Sequence, residues 1–141
     1  MKLSEIKRNV EAIEQGTWVG AKYGTPIPGM GDLCIKTRGA GNSDWKQLED
    51  KLLQAAPAVR RIAGLSRDDR DAITAQCLLN CGTTDWSGIE GDDNQPVPYS
   101  KAQAELFFTD RAYEDLRNAA LYAANIVGTA AAESLKVDAK N

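Results

Sequence analysis

No helix can run through the segment between Gly16 and Gly41. Its centre, TPIPGMG (residues 25–31), places two prolines two positions apart and follows them with two glycines. Each proline lacks an amide hydrogen and pushes the residue before it towards extended backbone, so a wide loop results. The flanking stretches TWVGAKYG (17–24) and DLCIKTRG (32–39) carry tryptophan, valine, isoleucine and threonine. In the second, Leu33, Ile35 and Thr37 alternate with Cys34, Lys36 and Arg38, which is strand patterning. A β-hairpin at about 17–38 with a loose tip is expected. A lone hairpin is marginal in water, so it has to pack on helices or on a partner.

Helices are expected on both sides of it. Leu3, Ile6, Val10 and Ile13 form one apolar stripe on a charged helix from Leu3 to Gln15, closed by Gly16. After GAGN (39–42), Asn42 or Ser43 caps a helix with Trp45, Leu48 and Leu52 on one face, ended or kinked at Pro57. A short apolar segment, AVRRIAG, stops at Gly64. Ser66 starts the next helix, with Asp68, Asp69 and Asp71 near its positive end and Ile73, Cys77, Leu78 and Cys81 as its buried stripe. Ser100 and Gln103 make a capping box for a short helix ending near Phe108. Thr109 caps an alanine-rich final helix to about Ala132, with Tyr113, Leu116, Ala120, Ala123 and Val127 on one face and Gly128 as a weak point. These elements define a mainly α fold: a small helical domain of about five helices with a short N-terminal β-hairpin. With 141 residues, 43% of them apolar, one domain is expected over residues 1–135, with a disordered tail at 136–141.

The residues offer little chemistry. Histidine is absent, which removes the commonest general base and the commonest metal ligand. Cys77 and Cys81 stand one helical turn apart, but with Cys34 they make only three thiols, too few for a closed zinc site, and they read as small buried residues. The carboxylates Asp85, Glu90, Asp92 and Asp93 miss the calcium-loop template: counting from Asp92, position five is Pro96 and position twelve Gln103. GAGN lacks the spacing of a nucleotide loop and reads as a connector. Arg60, Arg61, Arg67 and Arg70 are interleaved with aspartates, which describes a salt-bridged helix surface rather than a nucleic-acid face. The net charge of −3, from 17 basic and 20 acidic residues, agrees. No stretch approaches a membrane span or a secretory signal, so the cytosol is expected. The expectation is a non-enzyme with no cofactor, no metal, no nucleic-acid partner and no membrane.

TTDWSGIEGDDNQPVPYSKAQAELFF (83–108) remains to be explained. It holds two apolar anchors, Trp86 and Ile89, an acidic turn, and Pro96 and Pro98 leading into the Ser100 cap. Asp85-Trp86, Gly88-Ile89, Asp92-Asp93, Pro96 to Ser100 and Asp110 to Tyr113, in that order, resemble the tail assembly chaperones of long-tailed bacteriophages. GTWVG and GMGDLCIKTRGAGNSDWKQLEDKL resemble members with a short strand pair ahead of the helices. Those relatives have a glycine after the aspartates of the turn; here Asn94 stands there and tolerates the same left-handed geometry. The resemblance implies a non-enzymatic protein that coats the tape measure protein, keeps it soluble and recruits tail tube subunits. Its place would be the cytoplasm of the infected host, not the mature virion. Candidate partner-binding residues are Trp86, Ile89 and Tyr99 in the loop and Leu3, Ile6, Val10 and Ile13 on the N-terminal stripe. The hairpin edges and the alanine face also allow a homo-oligomer. The rival readings are a structural virion protein (head–tail joining or tail completion) and a small phage inhibitor of a host enzyme.

Overall fold

The computed structural model describes residues 1–58 and 63–129. Six α-helices and three strands are found among them: α1 Leu3–Ile6, α2 Val10–Gln15, β1 Thr17–Val19, β2 Cys34–Thr37, α3 Ser43–Ala55, α4 Arg67–Cys81, β3 Thr83–Ser87, α5 Lys101–Thr109 and α6 Glu114–Thr129. The fold is therefore mixed α/β, not a helical domain with a hairpin appended. The hairpin is real, but it is two-thirds of a three-stranded antiparallel sheet in the order β1-β2-β3. The third strand is TTDWS, which the sequence reading leaves in a loop.

The register explains the sheet's role. Val19, Ile35 and Trp86 lie opposite one another across the three strands and are all buried. Thr17, Thr37 and Thr83 form a second buried row. Between these rows the pairing slips: Thr37 faces Thr83 and Lys36 faces Asp85, so Thr84 has no opposite residue. This bulge turns both Thr83 and Trp86 inward although they are three positions apart, which plain alternation forbids. Against the sheet lies α6, whose buried face is almost all small: Ala119, Ala120, Ala123, Ala124, Val127 and Gly128. Small side chains let its backbone come close. A β-carbon on Gly128 would sit 2.6 Å from the Ala40 carbonyl oxygen, so this glycine marks tight packing and not a weak turn. Leu78 and Cys77 of α4 and Phe108 of α5 complete the core.

Local corrections follow from side-chain hydrogen bonds. The N-terminal helix is broken at residues 7–9, because the Asn9 side chain accepts from the Ala12 amide at 3.0 Å and starts a new helix. The loop 25–33 is not loose: Ile27 and Leu33 are buried and Met30 packs against the core. Asp110, not Thr109, accepts from the Ala112 amide at 2.9 Å and opens a 3-10 turn, Arg111–Tyr113, that runs into α6. The expected caps at Asn42, Ser66 and Ser100 are present. Arg60, Arg61, the helix end near Ala132 and the tail 136–141 lie outside the described residues.

One junction responds to acid. The Glu14 carboxylate sits at the start of α3, accepting from the Ser43 hydroxyl and, at 3.0 Å, from its amide, with Arg38 3.9 Å away. The Ser43 hydroxyl and then the Ser43 amide hold its pKa below the ordinary 4.5, against the opposing effect of burial and with a weaker contribution from the Arg38 charge. A carboxyl depressed on folding contributes stability above its unfolded pKa, and that stability disappears as pH falls through the folded value. Denaturant titrations across a pH series are expected to show stability falling below about pH 4.5, with a shallower fall in Glu14→Gln. Equal slopes would show that this junction does not contribute.

Candidate functional site

The stretch 83–100 is a folded unit. From β3 the chain makes a small hairpin in which the Val97 amide donates to the Ile89 carbonyl at 2.8 Å and Gly91 donates to Gln95 at 2.9 Å. Glu90 and Pro96 face each other as an isolated bridge. At its tip, Asn94 has a φ of 62°, the left-handed conformation expected of the residue after Asp92-Asp93, and Asp93 accepts from the Gln95 amide at 3.0 Å. Gly88 has a φ of 85°, and a β-carbon there would collide with the Asp32 carbonyl, so the backbone of the turn presses on the strand-leading loop. Ser100 then accepts from the Gln103 amide at 3.1 Å and launches α5.

Trp86 is the centre of this unit and is only 4% exposed. Its indole Nε1 donates to the Val97 carbonyl at 2.8 Å. Tyr99 meets it edge-on at 4.9 Å between ring centres, and Phe107 lies at 5.8 Å, in turn 4.7 Å from Tyr113. Ile89 is half-buried against the core, and the Tyr99 hydroxyl reaches the Thr83 carbonyl at 3.4 Å. Burial, and then the nearby Asp85 charge, push the Tyr99 phenol above its usual pKa. The three loop candidates thus come together, but facing inward. Glu90, Asp92 and Asp93 point to solvent on the turn.

The N-terminal candidates are placed differently. Leu3, Ile6 and Val10 are 80%, 59% and 64% exposed, while Ile13 is half-buried beside Ala12, the residue that enters the core. Nothing in α1 is buried. The single helix that would align the four residues is divided at residues 7–9, so Leu3 and Ile6 lie on α1 and Val10 and Ile13 on α2, and the first three are exposed.

Elsewhere the polar groups serve packing. Cys34, Cys77 and Cys81 are free thiols in the interior. Burial first, then Glu49 and Cys81, push Cys77 up to about 12, which keeps it protonated and unreactive. Among the described residues no three His, Cys, Asp or Glu side chains are grouped as a metal ion would need. A cleft of about 390 Å³ between α4, α5 and α6 is crossed by paired charges: Arg67 with Glu114 at 3.4 Å, and Arg117 with Asp71 at 3.6 Å and Glu114 at 3.4 Å. Sequence reasoning missed the most connected polar residue, Asn42, beyond its capping role. It is fully buried; its amide nitrogen donates to the Gly39 carbonyl at 2.9 Å and to Cys81 at 2.7 Å, while its oxygen accepts from the Trp45 amide at 2.9 Å. The glycines just before it were the available signal. Among the described residues no helix is long and apolar enough to cross a membrane.

Fold and site together define a small α/β domain whose buried polar groups serve its own folding and whose N-terminal arm presents bare apolar surface. Residues 40–141 match the family model described as YdaY prophage protein, and the chain belongs to that phage-derived family. The match takes in β3 but not β1 or β2, so the central strand of the sheet comes from outside the matched segment. Searches of curated proteins and of solved structures find no match.

Proposed function

We propose that the chain is a non-enzymatic tail assembly chaperone that binds the tape measure protein, keeps it soluble and recruits tail tube subunits around it. Membership of a prophage family supports a phage-related role. The resemblance of residues 85–113 to such chaperones supplies the finer reading. The structural observation that carries it is the arm: Leu3, Ile6 and Val10, on two short helices, are large apolar residues left exposed among the described residues. A long apolar helical client offers the complementary face, as in helix-in-groove recognition. On this reading Trp86, Ile89 and Tyr99 act on the client indirectly, by holding the hairpin in shape. The protein works in the cytoplasm of the infected host and is left out of the finished virion.

Co-expression with the tape measure protein of the same prophage tests this. The expected result is a soluble client that co-purifies with the chain, and loss of co-purification in Ile6→Asp. A client that stays insoluble and uncaptured beside folded chaperone would refute the reading.

A further inference from the structure

Part of the arm's backbone is already engaged. Residues 7–9, where α1 gives way to α2, are extended: Lys7 has φ −77° and ψ 122°. Arg8 sits there in an isolated β-bridge. Glu90 and Pro96, which form the other such bridge, are both described residues, whereas the partner of Arg8 lies outside the described residues. Two stretches lie outside them, 59–62 and 130–141.

Position and pattern decide between the two. Residues 59–62 stand between Ala58 and Ala63, both helical. Residues 130–141 begin at the root of the arm. A β-carbon on Gly39 would lie 3.0 Å from the Gly128 Cα and 3.1 Å from the Ile13 Cα, so α6 ends beside α2. From Ile13 back to Arg8 is about 8 Å at helical rise. From Thr129 forward to Val137 is up to about 26 Å of extended chain, so the segment reaches Arg8 within its own molecule. Its two large apolar residues, Leu135 and Val137, alternate with Ser134, Lys136 and Asp138, which is the period of a strand. Charge does not drive the contact: Lys2, Lys7 and Arg8 are matched by Glu5, Glu11 and Glu14, and Lys136 and Lys140 by Glu133 and Asp138. Backbone pairing and apolar side chains carry it.

We propose that residues 130–141 dock on the arm of their own chain at Arg8, with Leu135 and Val137 beside Ile6 and Val10, and compete there with the arm's partner. The competing role rests on the arm as a client surface; the docking does not. A single bridge is a weak closure, since even a two-stranded hairpin is marginal in water. The segment is therefore a reversible cover, which a longer apolar client displaces. A cover closed about nine-tenths of the time lowers the client's apparent affinity about tenfold.

A nitroxide on Ala139→Cys in the full chain tests the docking, the native thiols being buried. It is expected to broaden the amide resonances of residues 3–13, and to do so equally after dilution with unlabelled chain. Adding Leu135→Asp/Val137→Asp is expected to abolish the broadening. Broadening confined to another surface, none at all, or broadening that fades on dilution (the mark of a second copy's segment) overturns the docking. Binding of the tape measure protein tests the competition. Leu135→Asp/Val137→Asp without the label is expected to bind it about tenfold more tightly than the parent, the loss of the cover's competition. Equal or weaker binding overturns the competing role. Ile6→Asp separates the two readings: a client still held by that variant removes the arm as client surface and the competition with it, while the docking stands or falls on the nitroxide.

Discussion

Trp86→Ala will lower the unfolding free energy by about 3–5 kcal/mol, the range for truncating a buried large aromatic residue. The indole fills the space between the sheet and α5, meets Tyr99 edge-on and Phe107 at a tilt, and holds the hairpin at Val97 by its nitrogen. Alanine empties that volume and orphans the Val97 carbonyl at once. For a chain of this length the melting temperature is expected to drop by about 10 °C or more, readable by circular dichroism. Trp86→Phe separates the two contributions: it keeps most of the apolar volume and loses the hydrogen bond, so a smaller cost of about 1–3 kcal/mol is expected. A Trp86→Ala variant that melts like the parent yet fails to hold the client would move this residue from the core to the interface.

That prediction depends on a strand the sequence does not advertise. Helix starts were legible because a cap is local: Asn42, Ser66 and Ser100 each accept from an amide three residues on. β3 was not, for two physical reasons. Its buried residues, Thr83 and Trp86, are out of phase with a strand's two-residue period, and the bulge opposite Lys36 and Thr37 that reconciles them is a property of the pair. Its partner β2 is also remote, Asp85 pairing with Lys36, so no turn signal joins them. A reading without β3 makes the hairpin peripheral and the fold helical. The N-terminal stripe shows the opposite limit. Its period assumes one continuous helix, which the Asn9 cap divides, and periodicity does not say what covers a face, so Leu3, Ile6 and Val10 fall on two short helices and are exposed. The Asn94 turn could be read because one backbone conformation suits few residue types.

Asn42→Ala is expected to cost about 3 kcal/mol, more than a helix cap alone, which is worth about 1 kcal/mol. The excess comes from the other half of the side chain. Its Nδ2 bridges the Gly39 and Cys81 carbonyls in a site with no solvent access, tying the start of α3 to the last turn of α4 across 39 residues of sequence. Removing it leaves the Cys81 carbonyl without that donor, while Gly39 keeps the Asn42 backbone amide at 3.1 Å. Asn42→Asp tells the two roles apart. Aspartate caps helices about as well as asparagine, so a residue that only capped α3 would tolerate the change. Here the same change deletes both donors and sets a second oxygen against two carbonyl oxygens inside the protein, where an unpaired charge is costly. Asn42→Asp is therefore expected to destabilise at least as much as Asn42→Ala in urea titrations. A near-neutral Asn42→Asp would reduce Asn42 to a cap and remove the α3–α4 tie from the account of how this sheet is framed.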